Sequence, residues 1–141
     1  MKYLLDTNVI SELVAKQQNQ KVIDWLDNLD PSSIYVSVIT IGEIRKGIEK
    51  TPSPQRKAEL TAWLYNDLLV RFSGKIAEIT TNTILYWGKL VAQLEQQGQP
   101  LSALDSLIAA IALEGDYHIV TRNEDDFTNT GVVIINPWTL P

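Results

Sequence analysis

Short apolar runs alternate along this chain with segments of helical periodicity, and this alternation limits the fold more than any other feature. These runs are short and mainly apolar instead of alternating, which is typical of strands buried on both faces of a parallel sheet, and residues 34–38 are also rich in β-branched and aromatic side chains. The predicted strands are residues 3–5, 34–38, 76–79, 118–121 and 132–135. The sequence therefore predicts an α/β fold with a mostly parallel central sheet of four to five strands, flanked by helices.

Helical periodicity fills the spaces between these strands. The predicted helical segments are residues 7–29 in pieces, 40–50, 55–69, 81–97 and 104–113. The helix over 81–97 carries an apolar stripe, which predicts that one face packs on the core. This stripe consists of Ile84, Trp87, Leu90, Val91 and Leu94. The helix over 104–113 is apolar almost all round, which indicates a buried helix.

Composition narrows the class of protein. A chain of 141 residues without repeats or linker-like stretches predicts one domain over residues 1–141. The absence of cysteine excludes disulfides and cysteine-based zinc sites, and a single histidine disfavours Ser-His-Asp chemistry. No stretch reaches the roughly 18 apolar residues of a membrane span, and charged residues occupy the N-terminal region where a secretory signal needs its apolar core. We therefore expect a cytoplasmic protein that does not associate with membranes.

Negative charge is concentrated in the second half of the chain. The net charge is −5, and residues 76–141 carry two basic against eight acidic side chains. An acidic surface of this kind suits solvation, a basic partner protein or a cation-binding cleft.

Three carboxylates interrupt apolar stretches at Asp6, Glu43 and Asp105. Burying an ionised carboxylate is unfavourable unless another charge compensates it, and Mg²⁺ or Mn²⁺ prefers oxygen ligands. Open α/β sheets bind ligands beyond the carboxyl ends of their strands, where Asp6 and the segments 37–43 and 121–126 are expected. The sequence thus predicts an acidic cation site, although spacing alone does not show that these carboxylates meet.

Each of these acids also has a structural interpretation. Residues 40–43 and 102–105 match the capping box, in which the acidic side chain only completes a helix N-terminus. Asp6 with the two polar residues after it can form a solvated turn before a helix. A haloacid-dehalogenase-type phosphatase is disfavoured, because such a site needs a second aspartate at the position of Asn8.

Several sequence blocks together resemble PIN-domain ribonucleases, of the type found in VapC and FitB toxins. The blocks are LLDTNVISE at 4–12, VITIGEIRKG at 38–47, DSLIAAIA at 105–112, VTRN and DF within 120–127, and the closing NPW at 136–138. Their order and spacing cover essentially the whole chain. The resemblance implies a single PIN domain and metal-dependent cleavage of RNA.

By position, the resemblance implies that Asp6, Glu43 and Asp105 hold one or two Mg²⁺ or Mn²⁺ ions. Some relatives carry aspartate where this chain has Asn123, and an amide is a weaker ligand than a carboxylate. Asp126 is a further candidate from the same loop, with a loop cap as its alternative.

Polar and basic neighbours complete the candidate site. Thr7, Asn8 and Thr121 are candidates to orient the carboxylates, with ordinary capping and turn chemistry as the alternative, which we favour for Asn8. Arg45 and Arg122 are candidates to contact phosphates, with solvated side chains at helix and strand ends as the alternative.

The resemblance also implies partners and leaves two functions open. The partners would be RNA, a small VapB-like antitoxin that covers the active cleft, and a second copy of the chain, with operator DNA reached only through the antitoxin. One function is that of a toxin that hydrolyses RNA with a metal-activated water. The other is a nuclease-weak partner in a DNA-binding repressor complex, which the amide of Asn123 keeps open.

Overall fold

The computed structural model describes residues 1–141 and contains one sheet of five parallel strands. The strands are β1 (Lys2–Leu5), β2 (Ile34–Ser37), β3 (Ile76–Ala77), β4 (Tyr117–Val120) and β5 (Ile134–Ile135). Their order across the sheet is β3-β2-β1-β4-β5, and every neighbouring pair is parallel. The predicted parallel α/β architecture is confirmed. The two edge strands are shorter than predicted, because only two residues of each pair with the single neighbouring strand.

Helices connect the strands and cover both faces of the sheet. They are α1 (Thr7–Val14), α2 (Gln20–Asp27), α3 (Val38–Glu49), α4 (Pro54–Trp63), α5 (Leu69–Arg71), α6 (Thr81–Gln96) and α7 (Ala103–Gly115). A π-helical segment, Leu64–Leu68, joins α4 to α5, so the long predicted helix is present but not uniformly α-helical. None of the helices is both long and apolar enough to span a bilayer.

The order of the strands reverses at β1. From β1 the chain first builds one side of the sheet through β2 and β3, and then the other side through β4 and β5. The carboxyl ends of β1 and β4 are therefore adjacent at the point where open α/β sheets bind ligands. The Asp6 backbone N–H donates to the Val120 carbonyl at 2.9 Å, so Asp6 and Thr121 leave these neighbouring strands side by side.

Two apolar clusters lie on opposite faces of the sheet, because successive strand residues point to opposite sides. Leu5 and Val36 belong to the cluster beneath α1 to α3, whereas Leu4 and Ile119 belong to the cluster beneath α6 and α7. The expected burial of α7 is confirmed at Ser106 and from Ile108 to Ala112, but it is wrong at Leu104, which is 42% exposed. These clusters fix the helix starts that carry the polar side chains described below.

The predicted core position of Ile84 is wrong, because its side chain is 44% exposed. Thr83 is buried in its place. The Thr80 hydroxyl accepts from the Thr83 N–H at 3.2 Å, and the Thr83 hydroxyl accepts from the Thr80 N–H at 3.2 Å. This capping box fixes the start of α6 and turns Ile84 away from the core.

Candidate active site

Asp6 is the N-cap of α1 and is buried at the carboxyl end of β1. Its Oδ1 accepts from the Thr7 N–H at 2.9 Å. Its Oδ2 accepts from the Thr121 hydroxyl at 2.9 Å and from the Asn8 amide at 3.3 Å. Only 7% of the residue is exposed, so the alternative of a solvated turn is wrong. The four residues that these bonds join, Asp6, Thr7, Asn8 and Thr121, therefore lie at the ends of two adjacent strands and in the turn that follows β1.

Burial raises the pKa of Asp6 above its ordinary value of 3.8, and the hydrogen bonds from Thr7 and Thr121 oppose this shift. The negative charges of Glu43 and Asp126 raise the pKa further. No basic side chain contributes to the shift. The Asp6 carboxylate is thus firmly oriented but lacks a compensating charge.

Glu43 lies in the middle of α3 and does not cap it. The helix begins at Val38, and the Ser37 hydroxyl accepts from the Thr40 N–H at 3.1 Å. Ser37 is therefore the N-cap, and the capping-box interpretation of residues 40–43 is wrong. Glu43 Oε1 instead accepts from the Thr7 hydroxyl at 2.7 Å. This bond ties the start of α1 to α3 and directs Glu43 toward Asp6.

Asp105 occupies the first turn of α7 and makes only half of a capping box. The Ser102 hydroxyl accepts from the Asp105 N–H at 3.2 Å, but the Asp105 carboxylate does not return a bond to the Ser102 backbone. Burial raises the pKa of Asp105, the Ser102 hydroxyl lowers it, and the charges of Asp126 and Asp6 raise it further. Asp105 is therefore part of the same electrostatic cluster as Asp6.

The loop after β4 lies against this cluster. The Thr121 hydroxyl accepts from the Asn8 amide and from the Asn123 N–H, both at 3.1 Å. Asn8 Oδ1 accepts from the Arg122 N–H at 3.0 Å. Asn8 therefore joins Asp6 to the β4 loop, so its contacts go beyond the local turn chemistry that we favoured.

Asn123 and Asp126 differ in their contacts. The Asn123 side chain forms no hydrogen bond, and only its backbone is held. Asp126 follows in a short 3-10 helix, Glu124–Asp126, and its charge acts on both Asp6 and Asp105. Four carboxylates, those of Asp6, Glu43, Asp105 and Asp126, are thus linked electrostatically: Glu43 and Asp126 act on Asp6, and Asp126 and Asp6 act on Asp105.

Asn136 is a positioning residue that the sequence did not reveal by itself. Its amide donates to Glu124 Oε2 at 3.0 Å and to the Arg122 carbonyl at 3.3 Å, while its Oδ1 accepts from the Trp138 N–H at 3.0 Å. These bonds hold the segment that carries Asp126. The available signal was the NPW block at 136–138, which spacing alone could not connect to the loop.

The candidate phosphate contacts have partners of their own. Arg45 forms an ion pair with Glu49 at 2.8 Å and donates to the Tyr65 hydroxyl at 3.1 Å. The Arg122 guanidinium lies over the Trp138 ring, 5.5 Å from its centroid. Neither guanidinium forms an ion pair with the four carboxylates.

The chemistry of the four carboxylates fits a hard divalent cation. As the side chains stand, no group of three acidic or histidine residues is close enough to hold a metal ion. However, every side-chain donor is an oxygen, and none of the four forms an ion pair. The pKa values of Asp6 and Asp105 are both raised by burial and by neighbouring carboxylates. Divalent cations with oxygen ligands relieve such repulsion.

The fold is that of a PIN domain, and residues 3–133 match the PIN domain family model. The chain belongs to the PIN-domain family and is of the VapC/FitB type. It is 35% identical to plasmid stability protein StbB of Pseudomonas syringae pv. tomato and 33% identical to toxin FitB of Neisseria gonorrhoeae, in both cases over 96% of this chain and 97% of the relative. It is 31% identical to VapC ribonuclease Y4jK of Sinorhizobium fredii, over 96% of both chains.

Solved structures agree with this placement. FitAcB from Neisseria gonorrhoeae superimposes with a TM-score of 0.93 at 33% identity, covering 98% of this chain and 99% of that chain. DNA-bound VapBC from Salmonella typhimurium gives a TM-score of 0.80 at 26% identity, covering 97% of this chain and 98% of that chain. The similarity extends over the whole sheet and the helices around it.

Proposed function

We propose that this chain is a metal-dependent endoribonuclease and the toxin of a toxin–antitoxin pair, acting in the cytoplasm as one PIN domain over residues 1–141. The observation that supports this most is the buried Asp6, which shares the edge of the sheet with three further carboxylates and no counter-charge. The relative from Sinorhizobium fredii is named a ribonuclease, which supports the same activity here.

In this proposal Asp6, Glu43 and Asp105 hold Mg²⁺ or Mn²⁺ through their carboxylate oxygens. Such an ion, when bound, polarises phosphoryl oxygens and lowers the pKa of a bound water. It also reverses the local charge, which explains how an acidic protein can accept RNA.

The polar neighbours keep the carboxylates in place. Thr121 and Asn8 donate to Asp6 Oδ2, and Thr7 donates to Glu43 Oε1. Hydrogen-bond donors of this kind fix the orientation of metal-binding carboxylates before the substrate arrives.

The loop after β4 supplies the remaining groups of the proposed site. Asn123, whose amide has no other partner, and Asp126 would orient the attacking water or help to bind a second ion. Arg45 and Arg122 would reach phosphates only by leaving Glu49 and Trp138, so we assign them a smaller role.

We propose a small VapB-like antitoxin as the partner of this chain, a homodimer as its assembly, and operator DNA as a contact made only through the antitoxin. The solved relatives support this, since they include FitAB bound to a DNA fragment and DNA-bound VapBC. An apolar depression beside Glu43 would receive side chains of the antitoxin. It is lined by Val14, Ile44, Ile48, Leu60 and Trp63, among others.

The test is cleavage of an RNA pool by the purified chain in Mg²⁺ and in Mn²⁺. EDTA should abolish cleavage, and Asp6→Asn and Asp105→Asn should each lower kcat/KM by about 10²–10⁴-fold, since a metal ion supplies several kcal/mol of transition-state stabilisation. Asp67→Asn, at an exposed position without side-chain partners, is the matched control and should retain activity.

Full cleavage by Asp6→Asn, or cleavage that persists in EDTA, would contradict the proposal. A folded wild-type chain that binds Mn²⁺ but cleaves no RNA would instead favour the repressor partner with weak nuclease activity.

A further inference from the structure

Two depressions flank Glu43, one on each side of α3. The apolar depression described above contains no basic side chain. The other, which we call the Gly42 depression, has a volume of about 250 Å³ and is lined by Val38, Ile39, Gly42, Glu43, Lys46 and Leu104. Glu43 belongs to both depressions, so each opens directly onto the acidic edge of the sheet.

The floor of the Gly42 depression is a glycine inside a helix. Glycine in a helix interior costs roughly 0.5–1 kcal/mol relative to alanine. Apart from the chain neighbours and the backbone of the helix itself, no atom lies within 4 Å of the position that a Cβ would take on Gly42. No contact within the chain therefore requires glycine here. Leu104 forms part of the wall and is 42% exposed, which leaves an apolar surface without a partner.

Lys46 gives this depression a free positive charge. The two neighbouring cations, Arg45 and Lys57, both form ion pairs with Glu49, at 2.8 and 3.3 Å. The Lys46 ammonium has neither an ion-pair partner nor a hydrogen-bond partner. Glu43 also lines the depression, but in the proposed function its carboxylate is engaged by the metal ion. An occupant with an apolar face and a negative charge would therefore complement the wall and Lys46.

We propose that the Gly42 depression binds one unpaired nucleobase of the RNA substrate next to the cleaved phosphate, while Lys46 holds an adjacent phosphate. This inference rests on the proposed ribonuclease function. Unpaired nucleotides combine a flat apolar base with a phosphate, whereas an apolar peptide segment would leave Lys46 without a partner. The chain would then select single-stranded sites and discriminate among bases at this position.

The experiment is an abasic scan of binding. Every chain keeps its metal-site carboxylates, and Ca²⁺, which takes the same oxygen ligands, replaces Mg²⁺, with a gel confirming that the RNA stays intact. Fluorescence anisotropy then measures Kd for a single-stranded RNA in which one abasic nucleotide is moved along the sequence. We expect one position at which loss of the base weakens binding by about tenfold, as stacking of a single base predicts.

Gly42→Leu fills the depression and should weaken binding of the intact RNA by about tenfold. The same substitution should add nothing when the base at the sensitive position is already missing, as a double-mutant cycle requires. Gly88→Leu is the matched control, because Gly88 is also an exposed glycine inside a helix with nothing within 4 Å of its Cβ position. It should leave Kd unchanged.

Two further variants keep the test decisive even if Gly42→Leu does not fold. Leu104→Ala removes part of the wall without adding bulk and should weaken binding by a few-fold at the same position, whether or not Gly42→Leu folds. Lys46→Gln should weaken intact and abasic RNA equally and reduce the salt dependence of binding by about one charge.

The outcomes separate this inference from the proposed function. A flat abasic scan, or Gly42→Leu and Leu104→Ala that bind RNA like the parent, would overturn the nucleobase site and assign the depression to a protein partner. Cleavage of the same RNA by the wild-type chain in Mg²⁺, measured separately, would leave the ribonuclease function standing. Absence of wild-type cleavage would overturn the function, and a base-sensitive position would still support the binding site.

Discussion

The carboxyl end and the amino end of the sheet differ in whether their charged side chains have compensating partners. At the carboxyl end, burial and neighbouring acids raise the pKa of Asp6, and no cation compensates it. At the amino end, the Lys2 ammonium lies 4.2 Å from the ring centroid of Tyr117, and hydrogen bonds from Ser32 lower the pKa of Asp30. The charged side chains of Lys2 and Asp30 at the amino end thus have favourable partners, whereas the Asp6 carboxylate at the other end has no compensating charge. We therefore expect mutations at one end to change activity and mutations at the other to change stability.

Thr121→Val should give the largest effect among the following tests. It removes the donor to Asp6 Oδ2 while keeping the shape of the side chain, and loss of such an orienting bond typically costs about 10–100-fold in activity or metal affinity. Cleavage kinetics and Mn²⁺ titration measure both quantities.

Thr121→Ser is the control, because it restores the hydroxyl and should recover most of the activity. If Thr121→Val only destabilises the chain, with unchanged kcat/KM of the folded fraction, the carboxyl end would be structural too and the comparison would fail.

Gly115→Ala tests the amino end and should lower the free energy of unfolding by about 1–2 kcal/mol. An added Cβ would lie 2.4 Å from an atom of the Tyr117 ring, and that ring also packs edge-to-face on Tyr35 with centroids 5.1 Å apart. Denaturant titration gives the change.

The control for Gly115→Ala is the same substitution at Gly88, which has open space and should become more stable by about 0.5–1 kcal/mol. Cleavage per folded molecule should be unchanged in both variants. Loss of activity without loss of stability in Gly115→Ala would mean that the amino end contributes to function.

The sequence predicted the strands and the carboxylate at the carboxyl end of the sheet better than the hydrogen bonds that hold them in place. β1, β2 and β4 were recognisable because each contains a short apolar run, and Asp6 was recognisable because a carboxylate follows such a run directly. The start of α3 was misplaced by two residues, since both Ser37 and Thr40 are acceptable N-caps and only packing selects Ser37.

Local sequence patterns could not predict contacts between residues that are distant in the chain. The bond from Asn136 to Glu124 and the wall that Leu104 contributes to the Gly42 depression depend on how α7 and the last loop pack. The exposure of Ile84 likewise follows from a threonine that takes the core position beside it. Periodicity identifies the apolar face of a helix but does not decide which residues at its edges are buried.

The pH dependence of stability should have opposite signs at the two ends. Because the pKa of Asp6 is raised in the folded state, its contribution to stability is present below the ordinary carboxyl pKa and is lost as pH rises through the folded pKa. Because the pKa of Asp30 is lowered, its contribution is present above the ordinary pKa and is lost as pH falls through the folded pKa.

Denaturant titrations in EDTA between about pH 2 and 8 measure these contributions, because the Asp30 contribution changes only below the ordinary carboxyl pKa. Asp6→Asn should reduce the loss of stability as pH rises, whereas Asp30→Asn should reduce the loss as pH falls through the acidic end of this range. Equal slopes in Asp6→Asn and wild type would show that the Asp6 carboxylate is compensated already, against the contrast drawn between the two ends.

Lys2→Met should have the smallest effect. Methionine keeps most of the length and apolar character of the half-buried lysine stem, so the change isolates the ammonium, which lies over Tyr117 and is 5.9 Å from the ring centroid of Tyr35. A cation–π contact of this kind is worth about 0.5–1 kcal/mol.

A double-mutant cycle with Tyr117→Leu separates this contact from general packing, because the effect of Lys2→Met should disappear once the ring is gone. RNA cleavage should stay at the wild-type level, since Lys2 begins the strand that Asp6 follows and lies at the opposite edge of the sheet. A fall in cleavage with unchanged stability would instead show that charge at the amino end acts on RNA. Both ends of the sheet would then contribute to activity, and the contrast between them would fail.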